Sequence, residues 1–125
     1  MRVATLDHLV LTVASVDASI AFYERLGMRG ETFGDGRRAL RFGRQRLHLH
    51  QAGAEIEPYA LSPVPGSADL CFLVEDSLDD VVRELAEAGI EIELGPVERL
   101  GAVGAMESLY LRDPDGNLVE LARPC

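Results

Sequence analysis

Asp113-Pro114-Asp115-Gly116-Asn117-Leu118-Val119-Glu120-Leu121 is the stretch on which the fold turns. Pro114 presets φ for a turn, Gly116 tolerates positive φ, and Asp113, Asp115 and Asn117 can bond nearby backbone groups. Residues 118–121 then read as a short strand, preceded across the turn by another at residues 106–111, which makes the segment a hairpin. Successive strand residues point to opposite faces. With Val119 and Leu121 packed inward, Glu120 is presented on the other side. Taken alone this is an ordinary hairpin with a solvated carboxylate. Its meaning depends on what the rest of the chain puts on the same face.

Upstream of the hairpin, Asp69-Leu70-Cys71-Phe72-Leu73-Val74 reads as a strand, and Ser77-Leu78-Asp79-Asp80 as a helix start with acids in the first turn. Leu78, Val81, Val82 and Leu85 form the apolar stripe of an amphipathic helix, which Gly89 stops. A strand is expected at residues 90–94 and a loop at residues 95–103. Near the other end, Leu6-Asp7-His8-Leu9-Val10-Leu11-Thr12-Val13 has the β-branched and aliphatic character of a strand. Ser15 or Asp17 caps a helix whose spacing runs through Val16, Ile20 and Tyr23 to Gly27. Strands follow at residues 29–33, 37–42 and 46–50, separated by the turns Gly34-Asp35-Gly36 and Gly43-Arg44-Gln45.

The order is β-α-β-β-β, a proline-broken crossing segment at residues 55–66, and β-α-β-β-β again. It predicts an α+β fold of two tandem βαβββ modules, at about residues 1–54 and 67–125, forming a curved mixed sheet with helices on the outer face. At 125 residues and 47% hydrophobic content the chain is expected to be a single domain with a sizeable core. A net charge of −9 argues against nucleic acid as a partner. No apolar run approaches the ~20 residues of a membrane span. Met1-Arg2-Val3 leads directly into a strand, so no cleavable signal is expected and the predicted location is cytoplasmic. Cys71 and Cys125 are not expected to form a disulfide, and Cys-x-x-Cys is absent.

Strand alternation separates two sets of residues. One is apolar: Leu9, Leu11, Val13, Leu47, Leu49, Leu70, Phe72, Leu109, Leu111, Val119 and Leu121. The other holds His8, Thr12, His48, His50, Asp69, Ser108, Tyr110 and Glu120, and it includes all three histidines of the chain. A His-x-His in a strand is commonly just a cross-strand polar pair. The gathering of every histidine on one inferred face makes His8, His48, His50, Asp69 and Glu120 candidate metal ligands. Two imidazoles and a carboxylate with open positions suit Fe or Mn, and Zn or Ni also fit.

The opening motif His8-Leu9-Val10-Leu11-Thr12-Val13, with Ile20-Ala21-Phe22-Tyr23 and Leu26-Gly27-Met28, and the closing motif Asp113 through Glu120 resemble the vicinal oxygen chelate superfamily. That group takes in glyoxalase I, fosfomycin and bleomycin resistance proteins and extradiol dioxygenases. More narrowly, Arg38-Ala39-Leu40-Arg41-Phe42-Gly43, Leu49-His50-Gln51-Ala52-Gly53 and Pro65-Gly66-Ser67-Ala68-Asp69-Leu70-Cys71 resemble the glyoxalase-domain-containing protein 5 type. The resemblance covers nearly the whole chain. It implies metal ligands at His8 and Glu120 and a third on the last strand of the first module, with His50 preferred and His48 the alternative. Many members carry a histidine where this chain has Asp69, so direct transfer of a glyoxalase or ring-cleaving mechanism is weakened. Ser108 and Tyr110 fall where fosfomycin-type relatives offer hydroxyls to substrate, and Asp69 joins them as a substrate-binding candidate.

The implied activity is that of a divalent-metal-dependent enzyme acting on a small substrate with vicinal oxygens, by glyoxalase-like lyase or isomerase chemistry or by dioxygenase-like chemistry. Glu120 is the candidate catalytic base. A glutathione-dependent lyase needs a basic patch for the tripeptide carboxylates, for which Arg37, Arg38, Arg41, Arg44 and Arg46 are weak candidates, and they are expected instead to face solvent on the strands and turns. The rival reading is a metal-free protein of the bleomycin-resistance type that sequesters a small molecule, for which the acidic charge is suitable. A homodimer is expected, with the two modules pairing within or between chains.

Overall fold

The computed structural model describes residues 1–125, which divide into two compact units, Met1–Gly66 and Ser67–Cys125. The first unit contains β1 (His8–Val13), α1 (Val16–Arg25), β2 (Arg29–Phe33), β3 (Arg37–Phe42) and β4 (Gln45–Gln51). The second contains β5 (Asp69–Leu73), α2 (Leu78–Glu87), β6 (Leu94–Gly101), β7 (Gly104–Arg112) and β8 (Leu118–Pro124). The protein is thus a two-module α+β fold, each module a βαβββ unit with its own four-stranded mixed sheet. The sheets run β1-β4-β3-β2 and β5-β8-β7-β6, and in each the first strand lies parallel to the last. No helix is long and apolar enough to cross a membrane.

Local chemistry explains the boundaries. Ser15 caps α1, its hydroxyl accepting from the Ala18 amide at 3.2 Å, and Ser77 caps α2 in the same way through the Asp80 amide. In the first unit Leu11, Val13, Leu40, Leu47 and Leu49 are buried together with Ile20 and Tyr23 of α1. In the second Leu109, Leu111, Val119 and Leu121 are buried, as are Leu78, Val81 and Leu85 of α2. Each such leucine contributes about 1.5–3 kcal/mol by leaving water. These are the apolar faces that strand alternation assigns.

Each unit ties its parallel strand pair with one side-chain device, buried in the second unit and half-buried in the first. In the second, the Asp113 carboxylate accepts from the Asp115 and Asn117 amides at 2.9 Å and from the Asn117 side-chain amide at 2.8 Å. The Asn117 side-chain oxygen Oδ1 in turn accepts from the Ala68 amide at 2.8 Å, which fixes the entrance of β5 beside β8. In the first unit Gln51 does the equivalent work, donating to the Ala14 carbonyl at 2.7 Å and accepting from the Val16 amide at 3.3 Å.

One region departs from the sequence reading. Residues 90–93 lie outside any strand, and residues 95–103, expected as a loop, instead belong to a long hairpin in which β6 runs Leu94–Gly101 and turns through Ala102 and Val103. A register shift between Leu94 and Val97 accommodates Gly95, whose φ is +115° and whose Cβ, if present, would lie 2.5 Å from the Ser108 carbonyl oxygen. Glycine and proline here mark a bulge rather than the end of pairing.

Candidate functional site

The polar face of the first unit is a regular grid. Across β2, β3, β4 and β1 the register aligns Glu31, Ala39, His48 and Val10 in one row and Arg29, Arg41, Arg46 and His8 in the next. Phe33 and Arg37 are paired beyond them, as are His50 and Thr12. All three histidines share this face, as alternation predicts. His48 is 6% exposed and His50 4% exposed, and none of their four ring nitrogens has a hydrogen-bond partner. Burial drives the His48 pKa down to about 4 and lowers that of His50, so both imidazoles are neutral near pH 7. Neutral imidazole is the form that binds metal.

His8 is differently held. Its Nδ1 lies 2.8 Å from the Asp7 carboxylate, an arrangement that fixes the ring and leaves Nε2 for a ligand. Its ring stacks on His48, not His50, with centroids 3.8 Å apart and planes 9° from parallel. Imidazole lone pairs lie in the ring plane, and the planes of two parallel stacked rings do not meet at an ion about 2 Å from each nitrogen. To bind one ion together, His8 or His48 must therefore turn out of the stack. The donor chemistry on this face fits a divalent cation, although no group of three or more His, Cys, Asp or Glu side chains is arranged to hold a metal ion.

The arginines differ from the solvent-facing expectation. Arg37, Arg41 and Arg46 are only partly exposed and lie on the histidine face, while Arg38 points to the opposite face toward Asp17, 3.6 Å away. Arg41 bonds Glu31 at 2.9 Å and Arg46 approaches it at 3.6 Å. The Arg41 hydrogen bond is the chief reason that the Glu31 carboxyl titrates below its usual range.

The second unit carries a different set. Glu120 sits opposite Tyr110 on β7 and beside Cys71 on β5. The Ser108 hydroxyl donates to its carboxylate at 2.6 Å. Ser108 is fully buried, so this hydrogen bond fixes one carboxylate oxygen. Tyr110 is engaged elsewhere, its hydroxyl accepting from Arg99 Nε at 3.0 Å. Asp69 opens β5 on the same face and is exposed. Glu120 and Cys71 line a cavity of about 550 Å³, whose other walls include Leu73, Leu100, Val103 and Met106. Cys71 is exposed, yet partial desolvation by its neighbours first, and the Glu120 carboxylate second, push its thiol up to about 11, so it stays protonated.

The Glyoxalase/Bleomycin resistance protein/Dioxygenase superfamily profile matches residues 5–121. The chain belongs to that superfamily. The glyoxalase domain-containing protein RDO1 of Mycosarcoma maydis is 54% identical over 122 residues, covering 98% of this chain and 69% of its own length. Virulence protein STM3117 of Salmonella typhimurium is 52% identical over 124 residues, covering 98% and 86% respectively. Its crystal structure matches with a TM-score of 0.98 at 51% identity over 100% of both chains. Metallothiol transferase FosB of Shouchella clausii is 28% identical over 119 residues, covering 93% of this chain and 77% of its own.

Two features of this superfamily member escaped the sequence reading. Cys71 was readable as apolar strand interior, yet alternation from Asp69 puts it on the Glu120 face. The Arg37, Arg41 and Arg46 cluster had the same signal, since period 2 from Ala39 places Arg37 and Arg41 with His48.

Proposed function

We propose that this chain is a divalent-metal-dependent enzyme acting on a small substrate with vicinal oxygens, through lyase, isomerase or dioxygenase-like chemistry. One observation carries the reading: two histidines buried to 6% exposure or less, neutral, with all four ring nitrogens unpartnered. A buried polar group without a partner costs roughly 1–3 kcal/mol, a cost that an absent ligand explains. The ligands assigned are His8, one of His50 and His48, and Glu120. His48 is favoured by its contact with His8, and His50 by its place in the Leu49-His50-Gln51 motif.

When bound, Fe, Mn, Zn or Ni would supply Lewis acidity toward two adjacent substrate oxygens. The chain's own residues supply the rest. Asp7 orients the His8 ring. Ser108 holds one Glu120 oxygen, leaving the other to bind metal or to accept a proton from substrate. The apolar wall beside Glu120 accepts the carbon skeleton of a small molecule. We further assign the chain to a homodimer and to the cytoplasm, without nucleic-acid or membrane partners. Exposed Ile56, Tyr59, Leu61 and Val64 are the kind of apolar surface that a second copy covers.

The test is metal analysis of protein loaded separately with Fe, Mn, Zn and Ni and then desalted. Stoichiometric retention by the wild type, lost in His8→Ala and in Glu120→Ala while circular dichroism is unchanged, is the expected result. Failure to retain any of the four ions would favour the metal-free binding protein instead. Unfolding of Glu120→Ala would make that residue structural.

A further inference from the structure

The histidine face of the first unit is also a concentrated positive surface in an acidic protein. Arg29, Arg37, Arg41 and Arg46 share it with one strand carboxylate, Glu31, which lies 2.9 Å from Arg41, 3.6 Å from Arg46 and 4.0 Å from Arg29. The two other acids at its edges are engaged, Asp7 by the His8 ring and Glu55 by the Gly53 amide. Of the arginines on β2, β3 and β4, Arg37 alone has no carboxylate within ion-pair distance.

Phe33 organises the cluster. From β2 its ring must pass over the small, fully buried Ala39 to reach β4, where it lies 4.7 Å from the His48 ring. The Arg46 and Arg37 guanidinium carbons stand 4.2 and 5.1 Å from its centroid. Stacking on an aromatic ring holds a guanidinium in place while leaving its in-plane N–H donors free. Beside them are the unpartnered nitrogens of His48 and His50. Fixed cations, free donors and buried unpartnered imidazoles on one face are the elements of a ligand site.

We propose that this face is an anion subsite, in which Arg37, assisted by Arg46, takes the carboxylate of a small substrate beside His48 and His50. The substrate class is then a small carboxylic acid with an adjacent oxygen. This rests on the metal-dependent reading above and names the substrate of the same site. A carboxylate is favoured because its two oxygens match the two-pronged edge of one guanidinium. A phosphate dianion brings a second negative charge that one unpaired arginine leaves unbalanced.

The experiment is calorimetric titration of chelator-treated protein at low ionic strength with three probes: pyruvate, inorganic phosphate and the neutral amide pyruvamide. Pyruvate is expected to bind and pyruvamide not to. Arg37→Gln should weaken pyruvate binding roughly tenfold or more, the loss of a charge-assisted hydrogen bond, whereas Arg44→Gln, in an exposed turn, should leave it unchanged. Binding of phosphate but not pyruvate, equal weakening by both substitutions, or wild-type binding by Arg37→Gln would each overturn the proposal. Metal retention, measured on the same preparations after reloading with Fe, Mn, Zn or Ni and desalting, separates the two readings. Protein that retains metal but binds no pyruvate sinks the carboxylate subsite alone, and Arg37-dependent pyruvate binding without metal retention sinks the metal site alone.

Discussion

The two units repeat one topology and put opposite chemistry on its polar face. In the first, β1 and β4 present His8, His48 and His50 with arginines around them. In the second, the equivalent parallel pair β5 and β8 presents Asp69, Cys71 and Glu120, with an apolar cavity alongside. Apolar faces are interchangeable between the units, since both bury leucine and valine against one helix. Polar faces are not. The repeat thus fixes where side chains stand, and function enters through which residues stand there. One unit offers nitrogen donors and positive charge; the other offers oxygen donors and a hydrophobic wall.

The comparison breaks most visibly at the devices that tie the parallel pairs. Asp113 is 5% exposed and accepts three hydrogen bonds, so Asp113→Ala strands donors inside the protein. A destabilisation of about 3–5 kcal/mol is expected in urea unfolding. Gln51 is only half-buried and makes neutral hydrogen bonds, so Gln51→Ala should cost about 1 kcal/mol. Equal losses would mean that the turn at Asp113 carries no more of its unit than Gln51 carries of the other.

These tying devices also show how far the sequence is legible. Aspartate, glycine and asparagine around Pro114 announce a turn by local chemistry, and local chemistry is what a sequence displays. That Asn117 reaches back to the Ala68 amide, 49 positions away, has no local signature. The same distinction separates the correct strands from the missed one. Alternation in Leu47-His48-Leu49-His50 is explicit, whereas β6 hides behind Gly95 and Pro96, which look like a break until the Ser108 carbonyl is seen to require a glycine opposite it. For the candidate site, face assignment by alternation was sufficient for the histidines, Glu120 and Ser108. The arginines were set aside because a charged side chain is ordinarily sent to solvent, although alternation puts Arg37 and Arg46 on the histidine face, where both stand over the Phe33 ring.

The charge difference between the faces predicts a pH response. Unfolded, His48 takes up a proton as pH falls through 6.5; folded, it resists until about 4. Between those values the unfolded state binds more protons, so stability rises with pH. The stability that neutral His48 represents is fully present above pH 6.5 and is lost progressively down to about pH 4, by up to about 3 kcal/mol. In chelator-treated protein, His48→Gln should flatten this part of the profile, as read from urea midpoints between pH 7 and 4. A wild-type slope retained in His48→Gln would show that His48 titrates normally and that burial is not holding it neutral.

The smallest effect sharpens the oxygen-rich side. Cys71 alkylation by iodoacetamide at pH 8 should be about a hundredfold slower in the folded protein than in urea, because a thiol pushed up to about 11 holds little thiolate compared with one near 9. Partial desolvation is the larger cause and survives any change at position 120. The Glu120 carboxylate is the second, and Glu120→Gln removes its charge while keeping its shape and its capacity to accept from Ser108. Alkylation of Cys71, followed by peptide mass spectrometry, should then quicken by roughly threefold to tenfold. No change would place the Glu120 charge out of reach of the Cys71 sulfur, leaving Asp69 as the carboxylate that raises it.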